Sequence, residues 1–328
     1  MIAIGSRRSG WALCLLALLA SMVLTGCGHP SSNRKPNPAA SLTTLGPFAA
    51  VSGTFGEQPN LAFPAGSSPS AKLQRKVLHA GNGPKLAIGD LIVTDYLGQI
   101  WNGKVFDTSY TSGQAATLQV GLGKLLPGLD AGLVGVPVGS RVELTVPPSD
   151  AYGSKGDKAQ GISATDTLVF VVDIAKRYNG KSSADPAGSK LAEPAGLPAV
   201  GGSLNVAPLI VFGRDVSLPK RRSTYLIARG RGAPLRQGTA VVQYYSVDGK
   251  GAFVSSTWLN GTPTSVPIGN ATDATGGVFD GLVGVPVGSR VLIVAPSGAA
   301  GAPLTKTAVI VVDVLDQVTT AKRMAESS

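Results

Sequence analysis

The chain has 328 residues, room for about two domains of roughly 150 residues each. It is 43% hydrophobic and only 15% charged, with a formal net charge of +10, so it is too apolar for a wholly disordered protein. Of its two cysteines, Cys14 lies in an N-terminal apolar run that processing removes, so the chain cannot furnish the four clustered ligands of a structural zinc site, and any Ser-His-Asp or Cys-His centre would rest on the single interior histidine, His79.

The first 26 residues read as an export signal. Arg7 and Arg8 form a basic start, and the apolar run Trp11–Leu24 is too short to span a bilayer as a helix but right for a signal. The run ends in Leu24-Thr25-Gly26-Cys27, which resembles a bacterial lipobox, so Cys27 is the expected lipidation site; an ordinary secretory signal is the alternative. Cleavage there discards Cys14, rules out an internal disulfide and lowers the net charge to +8. Residues 27–50 have the Pro, Ser, Asn and Ala content of a flexible tether. The expected address is the outer face of a bacterial cell membrane, with the lipid as the membrane contact.

Past the tether the pattern is mostly β. LIVTDYL (91–97), RVELTV (141–146) and TLVFVVDI (167–174) are short β-branched runs bounded by Gly, Pro or Asp. GLDAGLV (128–134) has the spacing for two helical turns, but its glycines make it a poor isolated helix that a sheet must hold. His79 reads as an ordinary strand residue. Residues 178–199 have linker composition, and the basic stretch Arg214–Arg236 reads as a solvated face; no nucleic-acid-binding motif accompanies it.

The string GLVGVPVGSRV at 132–142 recurs unchanged at 281–291. Around it VTDYLG (93–98) matches VQYYSV (242–247), NGKVFDTS (102–109) matches DGKGAFVSS (248–256), TLVFVVDIA (167–175) matches TAVIVVDVL (307–315), and VSGTFGEQPNLAF (51–63) weakly matches VGGSLNVAPLIVF (200–212). So long a period makes each copy a whole domain. The expected layout is a signal (1–26), tether (27–50), first domain (51–177), linker (178–199), second domain (200–318) and tail (319–328). Each domain is expected to be α+β, an antiparallel sheet wrapped over one short helix.

In the first copy the motifs run V-x-D-Y-x-G, G-K-V-F-D-T-S, V-G-x-G-K-L-L-P-G-L-D-x-G-L-V-G-x-x-V-G-S-R, V-P-P-x-x-A-Y-G and T-L-V-F-V-V-D-I. In that order, over about residues 73–176, they resemble the FKBP-type peptidyl-prolyl cis-trans isomerases. The resemblance implies an apolar pocket for a proline ring and no cofactor or metal. Its residues would be Tyr96, Phe106, Asp107, Leu126, Tyr152 and Phe170, with Leu125, Leu129 and Ile162 on the substrate. The Leu126 backbone N–H and the Tyr152 hydroxyl would hold peptide carbonyls, and Asp107 would hydrogen-bond within the pocket wall and orient Tyr96 or the substrate carbonyl region. Leu129 stands where the family usually has a tryptophan floor, and Ala116 stands where it often has a further aromatic. Taken singly, Phe106, Leu126 and Phe170 are equally readable as core, Tyr96 as a buried tyrosine and Asp107 as a turn residue.

In the second copy Tyr244 and Phe253 persist. Val254 is expected at the place of Asp107, Gly276-Gly277-Val278 at that of the P-G-L stretch, Ala300 at that of Tyr152 and Ile310 at that of Phe170. That copy is expected to be degenerate and inactive. The expected whole is a monomeric, lipid-anchored isomerase acting on proline-containing exported polypeptides; the alternative is a lipoprotein that uses both domains only to bind peptides or envelope components.

Overall fold

The computed structural model describes residues 46–269, 276–296 and 306–319. The signal, Cys27, most of the tether and Ala300 lie outside them. The N-terminal hairpin pairs β1 (Ala50–Ser52) with β2 (Asn60–Ala62). The first sheet contains β3 (Gln74–His79), β4 (Leu91–Ile100), β5 (Val105–Thr108), β6 (Ala116–Gln119), β7 (Arg141–Val146) and β8 (Leu168–Tyr178). Its order is β3-β7-β8-β4-β5, with β6 also on β4, and every pairing is antiparallel.

The helix α1 (Pro127–Leu133) packs on β7. Pro127 sits at its start, where a missing N–H costs nothing. Its glycines are what the packing needs. A Cβ on Gly128 would lie 2.4 Å from Val146 Cγ1, and one on Gly132 would lie 2.8 Å from Leu144 Cδ2. These residues weaken the isolated helix, but they let its backbone approach the strand. Leu129 and Leu133 then join Val142, Leu144, Val146, Leu168, Phe170, Val172 and Ile174 in one core.

Residues 178–199 do not hang free between the copies. Ala184 is buried and its N–H donates to Asp313 (3.0 Å), the Asp185 N–H donates to the Gly288 carbonyl (2.8 Å), and β9 (Ser189–Lys190) forms the outer strand of the second sheet. After the hairpin β10 (Ala199–Gly201) and β11 (Leu209–Val211), that sheet uses β12 (Ser223–Arg229), β13 (Gly238–Asp248), β14 (Phe253–Ser256), β15 (Thr264–Ile268), β16 (Arg290–Ala295) and β17 (Ala308–Gln317). Its order, β14-β13-β17-β16-β12-β9 with β15 on β13, repeats the first sheet with β9 added. Even the irregularities recur: β4 slips against β8 between Val93 and Thr94, and β13 slips against β17 between Val241 and Val242.

These pairings correct the sequence alignment. Asp95 opposes Asp173 and Tyr96 opposes Val172, whereas Gln243 opposes Asp313 and Tyr244 opposes Val312. Residues 93–98 therefore match 241–246, one residue earlier than the strings suggest. On the edge strand Gly98 opposes Asp107, and Ser246 opposes Ser255. Ser255, not Val254, takes the place of Asp107; Val254 takes that of Phe106, and Phe253 that of exposed Val105.

The expected helix of the second copy is also absent as such. A single 3-10 turn, Asp280–Leu282, stands there, and the second helix, α2 (Thr257–Asn260), follows β14 instead. The cause is one missing residue. Asp130 Oδ1 accepts the Gly121 N–H (2.8 Å), and Asp280 Oδ1 accepts the equivalent Gly269 N–H (2.8 Å). Asp130 precedes the repeated GLVGVPVGSRV by two positions and Asp280 by one, which leaves too little chain for a second turn. By the same anchor Phe279, buried in the second core, matches Leu129, and Val278 does not.

Each sheet carries a buried ion pair on the face away from its helix or turn. Arg141 Nε and a terminal nitrogen bond Asp173 (2.6 and 2.7 Å), and the same guanidinium reaches the carbonyls of Gly53 and Glu57 in the N-terminal hairpin. Arg290 bonds Asp313 (2.6 and 2.8 Å) and the carbonyls of Ser203 and Val206. Buried charges of this kind persist only when paired and hydrogen-bonded, and both pairs tie the preceding hairpin to the sheet.

The two sheets also touch. Lys176 pairs with Asp316 (2.6 Å), Tyr178 donates to the same carboxylate, Thr117 and Ser265 share a hydroxyl bond (2.7 Å), and Leu91, Val93 and Val241 form a small common core.

Candidate active site

The site is built on β4, β5 and β8 and on the approach to α1. Tyr96 lies on β4, half-buried, and its hydroxyl donates to the Asp107 carboxylate across to β5. Burial, and then the neighbouring carboxylate, push the Tyr96 phenol well above its ordinary value. Burial also raises the Asp107 carboxyl, opposed by the Tyr96 hydrogen bond and the Thr108 N–H. Tyr96 therefore keeps its proton at neutral pH and donates it to Asp107.

Phe106 and Phe170 meet edge to face, ring centres 5.6 Å apart at 87°. Gly98 lies beneath them. A Cβ there would be 2.7 Å from Phe106 Cζ and 3.0 Å from Phe170 Cε1, so the aromatic pair and a side chain at 98 exclude each other.

Leu125 and Leu126 come from the turn before α1. Asp130 shapes that turn by accepting the N–H groups of Gly121 (2.8 Å) and Gly123 (2.7 Å), and that of Leu125 as well. Leu126 is extended (φ −56°, ψ 139°), and its carbonyl opens the helix by accepting from Leu129 and Asp130. Tyr152 starts the 3-10 turn Gly153–Lys155, and its hydroxyl accepts from Gln160 Nε2 at 3.1 Å. Ile162 is buried where the loop closes back on Asp157 through two backbone bonds of 2.8 Å.

Tyr96, Phe106, Leu125, Leu126 and Tyr152 all pack, partly buried, against the core that holds Leu129, Ile162 and Phe170. The structure thus brings the sequence-derived residues to one place, with the polar pair Tyr96–Asp107 and the Tyr152 hydroxyl among apolar groups. Ala116 lies on β6 opposite Thr94, and His79 ends β3 with its ring 6.2 Å from that of Phe55. Sequence reasoning missed Gly98, Asp130 and Gln160; the paired aromatics and the Asp-x-x-Gln spacing were the available signals.

The model of the FKBP-type peptidyl-prolyl cis-trans isomerases matches residues 83–175. An FK506-binding protein of Streptomyces anulatus is 36% identical over 119 residues, which span 36% of this chain and 95% of that protein. The chain belongs to the FKBP-type isomerase family. FK506-binding protein 2 of Debaryomyces hansenii is 42% identical over 86 residues, 26% of this chain and 62% of that protein. The crystal structure of AtFKBP13 aligns at 32% identity over 34% of this chain and 96% of its own, with a TM-score of 0.31. The FKBP match covers β4 to β7, α1 and most of β8, the part that carries Tyr96, Asp107 and Tyr152.

Proposed function

We propose that the chain is an exported, lipid-anchored peptidyl-prolyl cis-trans isomerase that acts on proline-containing exported polypeptides, with its catalytic site in the first FKBP domain. The observation that carries this reading is the Tyr96–Asp107 hydrogen bond set beside the Phe106–Phe170 pair, with Leu126 and Tyr152 on the same core face.

The chemistry asks little of side chains. Twisting an X-Pro amide breaks its resonance against a barrier of ~18–20 kcal/mol, but no bond to the protein forms. Catalysis is then tighter binding of the twisted amide than of the planar one. Apolar walls strip water from the more charge-separated planar form. Phe106, Phe170, Leu129 and Ile162 seat the ring, and the Leu126 N–H and the Tyr152 hydroxyl donate to peptide carbonyls. Asp107 keeps Tyr96 in place at the wall. The second half is read as a degenerate FKBP-like domain without the aromatic pair. A binding-only lipoprotein is the second reading, favoured by Leu129, an aliphatic group at the expected pocket floor.

The test is the isomerisation of proline-containing peptides by the full chain. Catalysis that Tyr152→Phe lowers by about tenfold, the worth of one hydrogen bond, supports the site. A rate equal to the spontaneous one leaves the binding-only reading. Acyl labelling with Cys27→Ser as control tests the anchor; a label retained in that variant would place the lipid elsewhere.

A further inference from the structure

We propose that Gln160 is a positioning residue for the isomerase site, fixing the direction in which the Tyr152 hydroxyl donates. The proposal rests on the reading of Tyr152 as a donor to a peptide carbonyl. The loop after Tyr152 is folded around one carboxylate. Asp157 Oδ1 accepts the backbone N–H groups of Ala159 (3.0 Å) and Gln160 (3.3 Å), and Asp157 Oδ2 accepts Gln160 Nε2 (2.7 Å). The reciprocal backbone bonds between Asp157 and Ile162 close the loop around this knot.

A carboxylate only accepts, so the end of the Gln160 amide that faces Asp157 must be its NH2 group. That nitrogen carries two hydrogens. One goes to Asp157, and the other points at the Tyr152 oxygen 3.1 Å away. Tyr152 therefore accepts from Gln160, and its single hydrogen is directed away from Gln160. The reversed amide would set an oxygen against the Asp157 carboxylate and offer Tyr152 an acceptor that draws the phenol hydrogen toward the loop.

The fold bears a cost for the observed orientation. Gln160 Oε1 is buried and accepts no hydrogen bond among the described residues, an unfavourable state for a buried carbonyl oxygen. Asp157 is thus the reason the amide faces as it does, and the amide is the reason the hydroxyl does.

The experiment is a double-mutant cycle in the full chain, read as kcat and KM for a proline-containing peptide, with thermal midpoints alongside. Gln160→Leu should lower kcat about fivefold with little change in KM, and in the Tyr152→Phe background it should lower kcat by less than about twofold. Gln160→Glu keeps the shape but presents an acceptor at neutral pH, so it should lose at least as much as Gln160→Leu. Equal losses in the two backgrounds, or a Gln160→Glu variant as active as wild type, would overturn the positioning role. A wild-type chain with no activity removes the isomerase reading and this proposal together. An active chain indifferent to Tyr152→Phe removes only the donor role and what rests on it.

Discussion

The two sheets share their strand order and their slips but differ at three linked positions on the core face. The first sheet has Gly98 under Phe106 and Phe170; the second has Ser246, Val254 and Ile310. These changes go together, because the glycine is required only where two aromatic rings cross the strand. Beside them Tyr96–Asp107 becomes Tyr244–Ser255, where the serine hydroxyl donates weakly to Tyr244 at 3.4 Å. The ion pairs Arg141–Asp173 and Arg290–Asp313 stay in register. What holds a hairpin to a sheet is common to both halves, and the aromatic pair proposed to line the ligand pocket is confined to the first.

The largest expected effect tests the shared part. Arg141→Met and Arg290→Met each strand a buried carboxylate, at about 3–5 kcal/mol. The loss should be greater for Arg290→Met. Asp173 keeps donors from the Gly56 N–H (2.7 Å) and the Tyr110 hydroxyl (3.0 Å), whereas for Asp313 the remaining donor among the described residues is the Ala184 N–H. Thermal unfolding of the two variants checks this order, and the reverse order would break the comparison. Next, Gly98→Ala forces Phe106 or Phe170 to move, for about 1–3 kcal/mol of stability and most of the activity. Ser246→Gly in the second sheet should change stability by no more than about 1 kcal/mol and activity not at all.

A smaller effect separates the polar pair from the aromatic one. Asp107→Ser copies the second half and removes the acceptor of a charge-assisted bond to Tyr96, so kcat/KM should fall about tenfold while the fold is kept. The converse, Ser255→Asp, should create no activity, because Val254 and Ile310 leave no ring-lined wall. Isomerisation assays on the two variants decide it; activity gained by Ser255→Asp would show that the carboxylate alone separates the halves.

The strand runs, the duplication and the cluster from Tyr96 to Phe170 were legible in the sequence, because alternation and motif order survive without coordinates. The register of the second copy was not. A one-residue slip in DGKGAFVSS keeps an aromatic facing an aromatic on paper, and only the pairing of Ser246 with Ser255 exposes it. The missing helix was hidden by the unchanged string that follows it, since one residue lost at Asp280 leaves the local composition intact. The buried pair Arg141–Asp173 was not anticipated, because nothing local marks which residues meet across two strands, although the recurrence of both as Arg290 and Asp313 was a signal. Gln160 lies in a loop, where no periodicity marks a contact. The packing of residues 46–50 was hidden by tether-like composition, yet Ala49 is buried and its N–H donates to Glu143 Oε1 at 2.8 Å.

That last contact sets the smallest prediction. Glu143 is buried on β7, and Leu292 holds the same position in the second sheet. Burial raises the Glu143 carboxyl above its ordinary value of 4.5, opposed by the Ala49 N–H and by Lys76. A folded state that holds the proton more tightly than the unfolded chain gains stability from it at low pH and loses that gain as pH rises through the folded value. The ionised carboxylate is therefore a burden at neutral pH that the second half does not bear. Glu143→Gln keeps an oxygen for the Ala49 N–H and exchanges Oε2, a buried atom with no partner among the described residues, for another such atom, so it removes the charge and little else. Its thermal midpoint should exceed that of wild type at pH 7, and the two curves should converge below pH 4.5. A gap that persists into acid would mean the amide acts through packing and not through the charge; no gap at pH 7 would mean that the carboxylate is compensated in the folded chain, and this difference between the halves would disappear.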